Sequence, residues 1–416
     1  MQAIRATTVF DGETFLDGGA TVLVEDGVVV GVESRGHDLP AGCSVTVHDG
    51  TLLPGLIDAH SHLVADSGLN ALDRVAGYSP AELDGVITQA LGDQLAAGVT
   101  TVRDLGDRDF CVVDRRDRQH PGLVEPTIVA SGPPITTAGG HCHFLGGAVA
   151  SEEVIARAVA ERVERGVDVV KVMASGGVNT PGTDVLRTQF SDDGLRRLVE
   201  QAHAAGLPVT AHAHGTPSVQ QALDVGVDGV EHGSCVTERG FGQASDDLLD
   251  AWARSGIVLC PTLGTDPDLM KEPPAPIKAV MDRMGVTAEQ MMRMRYEFVG
   301  RQHRAGIQLV TGVDSGIQPP KRHGALPFAV GDLVSAGLTV AQALATATSR
   351  AAAAVGLGER KGRVAPGYDA DLVLVAGDVA ASIMALHDVR SVLLQGRPVT
   401  PPGADHRLGA GPAPAR

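Results

Sequence analysis

The sequence predicts an α/β protein: a (β/α)8 TIM barrel with a small β-sandwich formed by the N- and C-terminal segments. Three observations lead there. Eight short apolar runs recur across residues 52–314, helical patterns separate most of them, and imidazole or charged side chains stand at the ends of several runs. Strands buried on both faces read as continuous apolar segments, and a TIM barrel carries its functional groups at strand C-terminal ends. An open doubly wound sheet is the alternative; it ranks lower because no GxGxxG loop follows an early strand.

Residues 1–52 contain IRATTVF, ATVLVEDGVVVGVES and SVTVHDGTLL, with turns expected at Asp11-Gly12, Asp26-Gly27 and Asp49-Gly50. They read as a small antiparallel unit, the first part of the sandwich. Residues 53–361 hold the barrel, with strand candidates TLLPGLIDAH, VTTVRDL, TIVAS, DVVKVMA, LPVTAHA, GVEHG, IVLCPTL and IQLVTGVD. The intervening helices announce their ends. Ser79-Pro80-Ala81-Glu82 is a capping box with proline at the first helical position, followed by Leu83, Ile87, Leu91 and Leu95 on one face and Gly98 as the stop. Ser151 and Ser191 open similar helices. Thr287 and Gln290 cap the Met-rich segment 287–305, in which Met291, Met292, Met294, Tyr296 and Phe298 suit core, subunit contact or a lid. Residues 362–400 return to strand in ADLVLVAGD and SVLLQGRPV and complete the N-terminal sheet, and residues 401–416, rich in Pro, Gly and Ala, read as a disordered tail.

Composition bounds the function. With 416 residues, 43% hydrophobic and 20% charged, the chain has ample core. Its formal charge of -16 disfavours nucleic acid, which requires basic clusters. Asp11 and Gly12 interrupt any signal-peptide core, and no apolar run is long enough to span a bilayer, so no membrane partner is expected. Cys43, Cys111, Cys142, Cys235 and Cys260 are scattered, without a CxxC pair, which fits a reducing cytoplasm better than a disulfide framework. The expected partner is a small-molecule substrate, in a homo-oligomer.

Residues 53–63, LPGLIDAHSHL, organise the rest. On a strand, positions i and i+2 share a face, so His60 and His62 point together and can chelate one borderline cation. Lys171 lies inside an apolar run, VTAHAHG supplies His212 and His214, GVEHGS supplies His232, and VTGVDSG supplies Asp314. Singly, each has a bland explanation as a satisfied core residue. Together they are imidazoles, one carboxylate and one buried lysine at the ends of different strands.

In order, PGLIDAHSH, VVKVMASGGV, AHAHG, VEHGS, GVDSG and PGYDADLVL resemble the amidohydrolase superfamily of metal-dependent hydrolases over residues 7–399, nearest to Xaa-Pro dipeptidase and ochratoxinase-like amidases, with imidazolonepropionase more distant. The resemblance implies two divalent metal ions, zinc: His60, His62 and Asp314 on one, His212 and His232 on the other, and Lys171 bridging both as a carbon dioxide adduct. It implies hydrolysis of an amide-type C–N bond of a dipeptide, N-acyl amino acid or related amide by a hydroxide held between the ions. Asp314 would serve as general base and then general acid, and His141, in GGHCHF, would stabilise the oxyanion. His143, His214, Arg322 and His323 are candidate substrate contacts. Relatives commonly have HAY where this chain has His212-Ala213-His214, so the tyrosine expected to hold a peptide carboxylate is missing. The alternatives are a mononuclear cyclic amide hydrolase or deaminase, a lactone or ester hydrolase, and a non-catalytic binding barrel. His37, His48, His120, His203, His303, His387 and His406 read as structural or surface residues.

Overall fold

The aspartate-glycine pairs turn the chain where left-handed backbone is needed. In the computed structural model, which describes residues 1–119, 124–270 and 275–399, Asp26 and Gly27 both have positive φ and join the antiparallel strands Ala20–Glu25 and Val28–Ser34. Asp11 turns the chain by accepting from Glu13 N and Thr14 N. Asp49-Gly50 departs from expectation, because it lies within the strand Ser44–Pro54. A Cβ on Gly50 would sit 2.2 Å from Val375 O, so the glycine permits a close approach of backbones rather than a turn.

That strand also corrects the antiparallel reading of the N-terminal unit. It runs parallel to Gln2–Val9, with Ala3 opposite Val45 and Val9 opposite Leu52. Its second half pairs antiparallel with Leu372–Ala376, Leu372 opposite Pro54 and Ala376 opposite Gly50. The C-terminal strands therefore join the same ladder. The result is one seven-stranded mixed sheet, in the order Arg397–Val399, Val389–Leu394, Leu372–Ala376, Ser44–Pro54, Gln2–Val9, Ala20–Glu25, Val28–Ser34. Ile4, Val22, Leu52 and Leu372 lie in its own apolar cluster.

The apolar runs of the middle of the chain form two parallel sheets. One contains Leu56–Ser61, Val99–Asp104 and Thr127–Ala130; the other contains Val170–Met173, Val209–Gly215, Gly229–Val236 and Val258–Cys260. Short links join them: Asp168 N donates to Ala130 O and Ile135 bridges to Val172 on one side. On the other, residues 307–315 bridge Leu309 to Leu259 and Ser315 to Ser61. The ladder is not continuous, and no closed sheet forms among the described residues. The eighth expected strand, IQLVTGVD, keeps only isolated bridges, because Thr311 N turns to Thr346 O and Asp314 takes a left-handed φ of 67°.

Helix starts follow the sequence. Pro80–Ala96 begins at a complete Ser79–Glu82 capping box and buries Leu83, Ile87, Leu91 and Leu95. Ser151 and Ser191 precede Glu152–Glu164 and Asp192–Ala204. Thr287 and Gln290 form a complete box at Ala288–Arg304, which buries Met291 and Phe298. Among the described residues no helix is long and apolar enough to cross a membrane, and all five cysteines are free. The expected disordered tail, 401–416, and the histidines His120 and His406 lie outside the described residues.

Candidate metal centre

His60 is the penultimate residue of the strand Leu56–Ser61 and His62 follows it. Their Nε2 atoms lie 3.4 Å and 3.1 Å from Asp314 Oδ1. Each offers the same ring nitrogen to one point because the other is occupied: His60 Nδ1 is 2.7 Å from Glu231 Oε2, and His62 Nδ1 is 3.3 Å from Gly106 O. Glu231 is itself held on Oε1 by Arg103 Nη2 at 2.9 Å and by Thr210 Oγ1 at 2.6 Å. Asp314 is placed by its amide, which donates to His60 O. Asp58 clamps the same two segments, accepting from Val313 N and Ser315 Oγ on one side and from His60 N on the other.

A second group stands on the neighbouring sheet. His212 Nδ1 and His232 Nε2 are 3.0 Å apart, and the His214 ring stacks on His232 with centroids 4.3 Å apart. His232 Nδ1 bonds Thr262 Oγ1 at 2.8 Å and His214 Nδ1 bonds Ser234 Oγ at 3.1 Å. The donor atoms of His212, His214 and His232 all lie within 4.8 Å of one another, as do those of His60, His62 and Asp314. A third such group, His60, Glu231 and Cys260, uses the face of His60 already bonded to Glu231. Lys171, in the strand Val170–Met173, is 1% exposed, and its Nζ has no hydrogen-bond partner among the described residues.

Burial governs the charges. It lowers the Lys171 ammonium, brings His60 down to about 4 and holds His212 and His232 well below the usual imidazole range. Burial would raise Asp314 and Glu231, but His60 and His62 outweigh it at Asp314, as Arg103 and His60 do at Glu231, and both carboxyls lie well below the ordinary range. Burial thus favours neutral lone pairs on His60, His212 and His232 and weakens the hold of Lys171 on its proton, whereas the neighbouring carboxylates of Asp314 and Asp104 raise His62 against its own burial. That donor set suits a borderline divalent cation, and the orphaned Lys171 Nζ marks where a further ligand fits.

His141 lines the same cavity, its ring centroid 4.6 Å from that of His212, and burial lowers it to about 3. Its Nδ1 is 2.8 Å from Thr180 Oγ1. Thr180 Oγ1 also accepts from Cys142 N, and in the arrangement where its hydroxyl proton goes to Nδ1 the ring carries its hydrogen on Nε2. His214 joins the imidazole cluster and lines the cavity. Three expected substrate contacts are elsewhere: His143 is exposed and bonds Gly140 O, Arg322 pairs with Asp266, and buried His323 bonds Ala65 O. None of the three lines the cavity. Their neighbour Lys321 does, its Nζ bonded to Thr262 O and Val313 O.

Sequence reasoning missed Glu231, Arg103 and Asp58. Glu231 and Asp58 had a signal, a carboxylate inside an apolar strand near a histidine; Arg103 had none beyond being a cation in an apolar run. The basic run Lys321, Arg322 and His323 reads in sequence as a solvated loop, whereas Lys321 and His323 are buried. The cavity encloses about 600 Å³ and opens over both histidine groups.

Residues 51–399 match the model of the Amidohydrolase family. The chain is 25% identical to ochratoxinase of Aspergillus niger, covering 95% of this chain and 87% of that protein. It is 26% identical to imidazolonepropionase of Salinispora tropica, covering 90% of each. The solved structure of a Xaa-Pro dipeptidase with bound methionine superposes with a TM-score of 0.82 at 22% identity, covering 96% of this chain and 99% of that one.

Proposed function

The chain belongs to the amidohydrolase family, and from that premise we propose that it hydrolyses an amide-type C–N bond of a small molecule, a dipeptide, N-acyl amino acid or related amide, with two divalent ions, zinc by its donor set. The two parallel sheets and residues 307–315 are then the wall of a (β/α)8 barrel within residues 53–361, and residues 1–52 and 362–400 build its companion sheet. His60, His62 and Asp314 would hold one ion and His212 and His232 the other. Lys171, as a carbon dioxide adduct, would offer one oxygen to each.

The observation that carries this reading is the orphaned Lys171 Nζ, buried without a hydrogen-bond partner among the described residues in the cavity that both histidine groups line. A buried ammonium left unpaired is costly, whereas a neutral amine that has added carbon dioxide and lost a proton becomes an anionic ligand. When bound, the ions acidify a water and polarise the scissile carbonyl. Asp314, ionised at neutral pH, takes the nucleophile's proton and passes it to the departing amine nitrogen. His141 donates Nε2–H to the carbonyl oxygen as it gains charge. Glu231, fixed by Arg103 and Thr210, keeps the His60 tautomer that presents Nε2.

The test is a panel of N-acyl amino acids, dipeptides and lactones on metal-replete protein, with metal counted per chain. Chelation should abolish turnover and zinc restore it. Lys171→Ala should lose metal and activity together, with partial rescue by a short carboxylic acid plus zinc. Full turnover without metal, or unchanged metal in Lys171→Ala, sinks the reading; one ion per chain favours the single-metal hydrolases instead.

A further inference from the structure

In a chain of formal charge -16, the cavity wall carries, besides Lys171, the cations Arg239, Arg283, Arg295 and Lys321 against only Glu238 and Asp314. Such an imbalance in a walled cleft attracts anions. Arg239 and Arg283 are exposed at its mouth, and Lys321 is committed to two backbone carbonyls. Arg295, on the cavity side of the helix Ala288–Arg304, differs from all three. Its Nη2 alone is engaged, with Pro261 O and Thr262 O. The charges of Asp332 and Asp314 act on it without a direct bond; Asp332 accepts instead from Tyr296 Oη at 2.6 Å and from Gly264 N at 2.9 Å. Among the described residues Arg295 thus has no carboxylate partner, and two carbonyls pin its guanidinium in place. A partly desolvated guanidinium without a direct ion pair is costly, and an entering anion lowers that cost.

Resting on the amide-hydrolase reading above, we propose that Arg295 anchors the anionic group of the substrate, a carboxylate beyond the scissile amide, so that the preferred substrates are N-acyl amino acids with an apolar acyl group. The apolar part of the cavity lining suits that acyl group: Leu72, Val178, Leu186, Phe241 and Met294 contribute to it. A volume of about 600 Å³ lies in the range of small-molecule sites and holds an acyl chain of several carbons as well as the amino acid. A planar guanidinium with Nε and Nη1 left over matches a carboxylate through two parallel hydrogen bonds.

The experiment compares N-octanoylglycine with N-propyloctanamide, in which an ethyl group replaces the carboxylate, on metal-replete enzyme. Hydrogen bonds to charged groups are worth about 10- to 10²-fold, so wild type should prefer the carboxylate by that order in kcat/KM, mostly through KM. Arg295→Met should bring the ratio within about threefold, and Arg295→Lys should fall between. Metal content is measured in each variant, because Arg295 also braces the 261–262 carbonyls and Thr262 bonds His232. A purely bracing role would depress both substrates alike and leave the ratio intact, which overturns the proposal, as does a wild type that prefers neither. If wild type cleaves neither amide, the hydrolase reading fails for this class, and calorimetric binding of the same two compounds still decides the anchor: a carboxylate preference that Arg295→Met abolishes upholds it, and one that the variant keeps overturns it.

Discussion

Asp314 serves two purposes, as a candidate ligand beside His60 and His62 and as the candidate proton carrier, and substitution can separate them. Asp314→Asn keeps the size and one weak ligand oxygen but cannot accept a proton. With metal content measured, it should retain most of its ion and lose about 10² to 10⁴-fold in kcat. His214, stacked on His232 and bonded to Ser234, is one imidazole removed from that exchange, so His214→Asn should change KM more than kcat. A metal-loaded Asp314→Asn within a few-fold of wild type, beside an inactive His214→Asn, would place the proton carrier on the wrong strand. The charge states set the pH limits of the site. The folded-state pKa values of Asp314 and Glu231 are depressed, so their contribution to stability is present above the ordinary carboxylate range and is lost as pH falls through the depressed values.

At the scale of elements, the loops after strands aim the chemistry, and glycine makes room there. Gly177 follows the strand of Lys171, and a Cβ built on it would lie 2.4 Å from His141 Nε2. The backbone there would accept alanine, so Gly177→Ala acts by displacing the imidazole. Turnover should fall about 10²-fold, the scale of one oxyanion donor, while metal content and the melting temperature stay near wild type. Loss of metal along with activity would mean that this segment holds the ligands rather than the oxyanion donor. The Met-rich helix Ala288–Arg304 shows how one element serves two surfaces: Phe298 is buried in the core, whereas Met291, Met294 and Arg295 line the cavity.

For the whole molecule, the candidate ligands come from both parallel sheets and from residues 307–315, so bound ions would tie segments far apart in sequence. A ligand that binds only the folded chain at a thousandfold its dissociation constant stabilises by about 4 kcal/mol. Chelation should therefore lower the melting temperature by several degrees in a calorimetric scan, and zinc should return it. An unchanged transition in chelator would argue against ions held between these segments.

Period and punctuation were legible without coordinates. Seven of the eight apolar runs became named strands, and the Ser79 and Thr287 capping boxes were visible in sequence, because strand burial and helix capping are local properties. His60, His62, Lys171, His212, His232 and Asp314 could be singled out because ionisable residues inside apolar runs carry a desolvation cost that requires a reason. What needed the tertiary structure was every feature set by strand order and side-chain reach. The parallel pairing of Ser44–Pro54 depends on which strands meet across the chain. The placing of Lys321 rather than Arg322 at the cavity depends on one turn after Asp314. Glu231 became the partner of His60 across 171 residues, and among the described residues Arg295 is left without a direct ion pair while Asp332 accepts from Tyr296 and Gly264. Sequence spacing specifies which side chains share a face of one element; which faces meet is decided by packing, and packing chooses the partners of a buried charge.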